Sequence, residues 1–331
     1  MKALIRKLSE AYGPSGREDA LRQIVRAELR GLSDYISEDP LGNLHAVIKQ
    51  KARSGRRIML AAPMDEVGLQ VSHVDENGFL RFAPLGPLEP LHCVGARVRF
   101  ADGRVGVIGV ESRGEASALP TVHQLFVDVG AVDRDSSAFK PGEAAVFDRA
   151  LAEVDGRLVG KALGGRTAVA VLLETLRHLK RTPHEVQFVF SVQEHVGSRG
   201  ARTAAFALEP EVALTVDAAP ASDIPRGSPA AIALGHGPVI RAREGYAISD
   251  PRIVEWMATR ASEARLPHQL GVFDTSASNP TTVQTSRAGV VTAGLGLPCR
   301  YLYTSSEMVD LSDAENAVKL LLSLLASPLP F

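Results

Sequence analysis

EVQFVFSVQEHVGSRGARTAAFALEPEVALTVD, residues 185–217, decides how this chain folds. Val186–Val192 is a mostly apolar run of strand length, Ser198–Ala207 has helical spacing, and Val212–Val216 is a second apolar run. Neither run alternates with polar residues, so both strands read as buried on both faces. Strand, helix and strand in that order predict a largely parallel sheet covered by helices. In such sheets, sites form in the loops at the carboxyl ends of strands. Glu194 and His195 follow the first run and Asp217 ends the second.

The same alternation extends in both directions. Short strands are expected at Leu44–Ile48 and Ile58–Ala62, the second leading to Asp65. They are joined by KARSGRR (51–57), a basic turn that should be solvated. Thr167–Leu179 has helical periodicity, and Asp250-Pro251 has the chemistry to start a helix carrying Trp256. Val290–Leu297 reads as a strand, and Ser312 with Glu315 should cap a final leucine-rich helix. At the other end, MKALIRKLSEAYG reads as an amphipathic helix that stops at Gly13-Pro14. Ser15 with Glu18 forms a capping-box pattern, predicting a second helix from near Arg17.

Between residues 67 and 159 the texture changes. GLQVSHV (68–74), FLRFAPL (79–85), ARVRF (96–100), RVGVIGV (104–110) and QLFVDVG (124–130) are separated by turn signals such as Asn77-Gly78, Asp102-Gly103 and Pro141-Gly142. Short strands at such spacing indicate a small barrel or sandwich. The expected class is α/β: a mostly parallel open sheet flanked by helices, with an inserted small all-β domain. Residues 1–66 and 160–331 would form the first unit and 67–159 the insertion.

Composition narrows the functional classes. The 331 residues include 45% hydrophobic and 23% charged residues, with 37 basic against 38 acidic, a formal net charge of −1. That balance gives no field to attract nucleic acid or an anionic membrane. No apolar run approaches the ~20 residues needed to span a bilayer. The start lacks the apolar stretch of a secretory signal. Cys93 and Cys299 do not make a disulfide framework. The expected location is the reducing cytoplasm.

Several strings together resemble the M42 family of metallo-aminopeptidases. They are GPSGRE (13–18), DPLGNL (39–44), MDEVG (64–68), GKAL (160–163), QEHVGSRGA (193–201), the VD of 216–217 and RYLYTSSEMVD (300–310). They occur in family order and span nearly the whole chain. The resemblance implies two divalent ions, about 3.5–4 Å apart, that activate a shared water for attack on a peptide carbonyl. In the family one aspartate bridges both ions. One ion adds a histidine and an aspartate, the other a glutamate and a histidine, and a separate glutamate is the general base. Carried over, the first histidine falls at Pro63, the bridging aspartate at Gly164, the base at Glu194 and the ligand glutamate at His195. The remaining aspartate falls at Asp217 and the last histidine at Tyr303. Proline and glycine carry no side-chain donor.

The expectation is therefore an aminopeptidase-like protein without two-metal catalysis, serving as a binding or regulatory subunit, with no cofactor. The alternative is a hydrolase holding one divalent ion (zinc, cobalt or manganese) on His195 and Asp217, with Asp65 as a further donor and Glu194 as base. Family resemblance implies self-association through the inserted domain, from dimers to a dodecamer. A hetero-oligomer with an active paralogue and a peptide or amino-acid ligand are the other partners expected.

Each site residue also has a plainer reading. Glu194 is either a surviving acid–base group or a carboxylate satisfied by backbone or Arg199. His195 could be a loop histidine bonded to a neighbour, Asp217 a turn cap, and Tyr303 a packing residue. Asp65 occupies the family position that orients the histidine replaced by Pro63. Asp274, in GVFDTSASNP, falls near a string lining the family's substrate pocket. His92, His123, His184, His236 and His268 show no metal-type spacing and default to structural roles.

Overall fold

Glu185–Ser191, Arg57–Pro63, Val212–Pro220 and Val291–Arg300 lie side by side and parallel within a twelve-stranded sheet. The computed structural model describes residues 1–49, 55–111, 119–227, 232–274 and 279–329. Register brings Ser191 level with Pro63 and Val216 level with Leu295. Leu44–Ile48 adds antiparallel to Glu185–Ser191, with Tyr35–Glu38 outside it. On the other side follow Glu307–Asp310, Arg157–Gly160 and Ala152–Val154.

The lack of alternation in the central strands has a simple cause. Ile58, Leu60 and Ala62 enter one core, shared with the helices Lys2–Ser9, Leu163–His178, Pro251–Glu263 and Leu311–Leu325. Met59 and Ala61 enter another, with Ala201, Ala204 and Ala205 of Arg199–Leu208 and Val283 of Asn279–Gln284. Both faces of the strand are apolar because helices cover both.

Six strands between residues 68 and 147 close into a barrel, in the order Gly68–Val74, Leu80–Leu85, Leu125–Asp128, Val105–Val110, Arg97–Phe100 and Ala144–Phe147. Val71, Leu80, Val98, Phe100, Ile108 and Val127 fill it. The insertion was expected to span residues 67–159, and its last stretch pairs outside the barrel. Ala152–Val154 and Arg157–Gly160 form a hairpin over Asp155 (φ 48°) and Gly156 (φ 77°), and this hairpin joins the large sheet through Glu307–Asp310. Leu158 packs in the main core and not in the barrel. The Asp-Gly pair is a strong hairpin signal that composition alone did not assign to either unit.

Two further expectations shift. The second helix begins at Asp19, and no side-chain cap is formed at its start. The last helix is capped by Asp310, which accepts the Ser312 N–H at 3.0 Å, not by Ser312. Asp250 does cap Pro251–Glu263. Val239–Glu244, which pairs with both Val291–Arg300 and Gln269–Phe273, was not expected. Residues 50–54 of the basic turn lie outside the described residues. Among the described residues, no helix is long and apolar enough to cross a membrane.

Candidate functional site

The carboxyl ends of the parallel strands meet along one edge of the sheet. Arg57–Pro63 runs into Asp65, Glu185–Ser191 into Glu194 and His195, and Val291–Arg300 into Tyr301 and Tyr303. Asp217 lies on Val212–Pro220, and Leu163–His178 begins beside it with Gly164 in its first turn. Five non-glycine residues around this edge are left-handed: Ala162, Gln193, Ser198, Tyr301 and Tyr303, with φ of 55°, 55°, 50°, 58° and 65°. Each costs on the order of 1–3 kcal/mol and persists only where its surroundings fix it.

Carboxylates hold two of them, Glu18 at Gln193 and Glu307 at Tyr303, and a third anchors the loop between. Asp65 Oδ1 accepts the Glu194 N–H at 2.9 Å, and Oδ2 accepts the His195 N–H at 3.1 Å and the Ser15 hydroxyl at 2.5 Å. Three donors occupy Asp65, so the structure makes it the anchor of the 194–195 loop. Glu18 Oε1 accepts the N–H groups of Gly16 (2.8 Å) and Gln193 (3.0 Å). Ser15 and Glu18 are thus spent on the site, which is why the expected capping box does not form. Glu307 Oε2 accepts the Gly164 N–H and Oε1 the Tyr303 N–H, both at 2.8 Å.

Burial pushes Glu307 up to about 7, and burial with the nearby Asp65 pushes Glu18 up to about 6. A carboxyl raised in the folded state is protonated there while the unfolded chain has already ionised. Its contribution to stability is complete below the ordinary value and is lost as pH rises through the raised one. Stability should therefore fall from about pH 4.5 to about pH 7 through Glu307. Glu307→Gln should flatten that slope in urea unfolding followed against pH. An unchanged slope would contradict the assignment.

Glu194 is buried, and the half-buried Asp217 carboxyl lies close enough to act on its charge. Burial first, then the charge of Asp217, drives Glu194 well above the usual carboxylate range. Burial also raises Asp217, opposed by the Arg241 guanidinium. Arg241 is itself committed elsewhere, to Glu244 and to the carbonyls of Asp217 and Ala218. The His195 ring meets Tyr303 edge-on, with centroids 5.7 Å apart and planes at 84°. Burial, with Asp217 and Glu194 facing the phenol, pushes Tyr303 up. Arg199 donates to the Val196 carbonyl and not to Glu194.

Beneath lies a second buried cluster. Lys161 Nζ reaches both Glu66 oxygens at 2.6 and 2.9 Å, and Arg166 Nη2 reaches Oε1 at 3.1 Å.

The positions where the resemblance places metal ligands hold other contacts. A Cβ built on Gly164 would fall 2.7 Å from the Ala218 Cβ and 3.1 Å from Leu302 Cδ2. A Cβ on Gly165 would lie 3.3 Å from Pro63 Cγ. Among the described residues, no group of three or more His, Cys, Asp or Glu is arranged to hold a metal ion.

Of the predicted site residues, the structure brings Glu194, His195, Asp217 and Tyr303 together. Asp274 is exposed at the rim, paired with Arg243 at 3.5 Å, and residues 275–278 beside it lie outside the described residues. His184 is structural, bonding the Arg56 N–H and the Ser327 carbonyl. Arg241, Glu244 and Glu307 were missed. The first two sit on the unexpected strand, whereas Glu307 stood in the RYLYTSSEMVD string, four residues after Tyr303.

The chain matches the M42 glutamyl aminopeptidase family over residues 42–320. It is 30% identical over 338 residues to a lysyl aminopeptidase of Pyrococcus furiosus, covering 97% of this chain and 96% of that protein. Its fold superposes on aminopeptidase APDkam598 of Desulfurococcus kamchatkensis with a TM-score of 0.94 at 34% identity, covering 99% and 95% of the two chains. The TET1 peptidase of Pyrococcus horikoshii, which can assemble into a tetrahedron or a large octahedral shell, gives 0.86 at 27% identity with 98% of each chain covered. These matches overturn the expectation of no cofactor, because the matched family is one of metal-dependent peptidases. Counting missing side-chain donors bears on the two-ion arrangement. It does not bear on metal dependence as such, since an ion can complete its shell with water. By the extent of the match, the chain belongs to the M42 aminopeptidase family.

Proposed function

We propose that this M42-family protein keeps the peptidase cleft as a binding site for a peptide or amino acid and does not run two-ion peptide hydrolysis. The observation that carries this reading is the closure at Gly164. A Cβ at Gly164, the first atom of any side chain there, would already crowd the Ala218 Cβ at 2.7 Å and meet Leu302 Cδ2 at 3.1 Å. A bridging ligand serves both ions, so its loss weighs on both at once. Even an outer-shell partner is worth about 10–100-fold in metal affinity or activity. The edge-on contact of His195 with Tyr303 supports the same reading, because two positions that would hold ligands pack against each other. Such a protein would act as a binding or regulatory subunit. Like the TET1 peptidase it would self-associate, alone or with an active paralogue, with the barrel as the contact.

A one-ion hydrolase is the second reading, favoured by the charge interaction of His195 with Asp217 beside the retained Glu194. It calls for one ion per chain and loss of activity in Glu194→Gln.

The test is hydrolysis of leucyl, glutamyl and lysyl p-nitroanilides with zinc, cobalt or manganese added. The proposal expects no turnover above buffer. Turnover at ordinary enzyme rates, about 1 s⁻¹ or more, would overturn it.

A further inference from the structure

We propose that the edge strand Gln269–Phe273 docks a second copy of this chain, which adds its own Gln269–Phe273 antiparallel across a two-fold axis. The contact lies in the large sheet, away from the barrel, and goes beyond the self-association proposed above.

Gln269–Phe273 pairs with Val239–Glu244 on one side, and among the described residues its other edge is open. The ladder fixes which groups face outward. The Gln269 N–H donates to the Pro238 carbonyl at 3.0 Å, and the Phe273 carbonyl accepts the Gly245 N–H at 2.9 Å. Residues 269, 271 and 273 therefore turn their backbone groups to the sheet, and those of Leu270 and Val272 point away from it. The Leu270 and Val272 side chains are also exposed, at 62% and 67%, while Gly271 between them is buried. Natural sheets blunt such an edge with charge, proline or a covering element. QLGVF (269–273) carries neither charge nor proline. An open, apolar, uncharged edge is a template for strand addition.

The register identifies the partner. Any strand could satisfy the backbone, but a second copy of this one matches it residue by residue. A two-fold axis at Gly271 sets Leu270 opposite the partner's Val272, and Val272 opposite the partner's Leu270. Both members of each pair point outward, so they form hydrogen-bonded pairs, about four ladder bonds in all. Their side chains meet apolar against apolar, a favourable cross-strand pairing. Gly271 faces the partner's Gly271 at the closer, non-hydrogen-bonded position, where neither brings a side chain. One step further out, His268 comes opposite the partner's Asp274. The Asp274 side chain is 89% exposed, with Arg243 at 3.5 Å, so each end of the pair sets a histidine against a carboxylate. A patch that contacts itself across a two-fold axis closes after two copies and leaves this edge covered.

The test is cross-linking by register. Leu270→Cys and Val272→Cys chains, co-expressed and mildly oxidised, should form a disulfide-linked dimer, because facing Cα atoms about 5.5 Å apart lie within disulfide reach. Either variant alone should link far less, since like residues sit two positions out of register and beyond about 7 Å. Cys93 and Cys299 are buried and do not compete. Val272→Lys, at an exposed position, should lower the particle mass in light scattering at least about twofold and leave the circular dichroism spectrum unchanged. A monomeric parent, no linkage in the co-expressed pair, equal linkage in the single variants, or an unchanged mass for Val272→Lys would overturn the proposal. Association through the barrel alone gives no linkage and an unchanged mass, so the two contacts are told apart.

Discussion

An aspartate placed at Gly164 is expected to destabilise the fold by about 3 kcal/mol or more, against about 1–3 kcal/mol for Gly164→Ala. The alanine reports overpacking alone, since its Cβ would meet the Ala218 Cβ at 2.7 Å. The aspartate adds a charge near Glu307, whose Oε2 lies 3.6 Å from that Cβ. Urea unfolding of the two variants separates these effects, because a packing change moves both and a charge penalty moves only the second. A Gly164→Asp protein as stable as the parent would show that the space is open. The account of the cleft would then fail at its first step.

The second large effect is expected at Glu66→Gln, with a loss of about 3–5 kcal/mol. Glu66 compensates Lys161 and Arg166, and all three side chains are at most 2% exposed. Arg166 has no spare partners, because its Nε and Nη1 are already unsatisfied. Removing the carboxylate charge leaves two buried cations facing each other. The Gly13 N–H, which donates to Glu66 at 3.1 Å, would at best keep a weaker acceptor. Since the cluster is shielded from solvent, the loss should change little with salt. A loss below about 1 kcal/mol, or one that salt abolishes, would mean that the cluster is not the electrostatic support described.

Much of the architecture was legible because it rests on local apolar pattern. The strands around Phe188 and Leu214 are mostly apolar on both faces, the helix carrying Val171 is buried along most of its length, and that pattern has few solutions other than a covered parallel sheet. The barrel was legible from its turns. What was not legible depended on partners distant in sequence. The hairpin at Asp155-Gly156 looks the same whether it closes a barrel or joins a sheet, and only the pairing with Glu307–Asp310 decides. Ser15 and Glu18 satisfy the local rule for a helix cap, yet Asp65 and Gln193 claim them across the fold.

The site divides in the same way. Glu194, His195 and Asp217 could be placed because strand ends carry sites in this kind of sheet. Asp65 could be placed but not interpreted, since its role depends on two backbone amides and a serine from elsewhere. Arg241 and Glu244 were invisible because VIRARE alternates charge with apolar residues and reads as surface. In the fold Arg241 is 1% exposed and lies under Asp217.

The most direct test of the central claim is metal content per chain, by elemental analysis after incubation with zinc, cobalt and manganese followed by desalting. A site closed at Gly164 and without a donor at Pro63 predicts fewer than two ions retained per chain. Two tightly held ions per chain would contradict the account and return the protein to two-ion aminopeptidase chemistry.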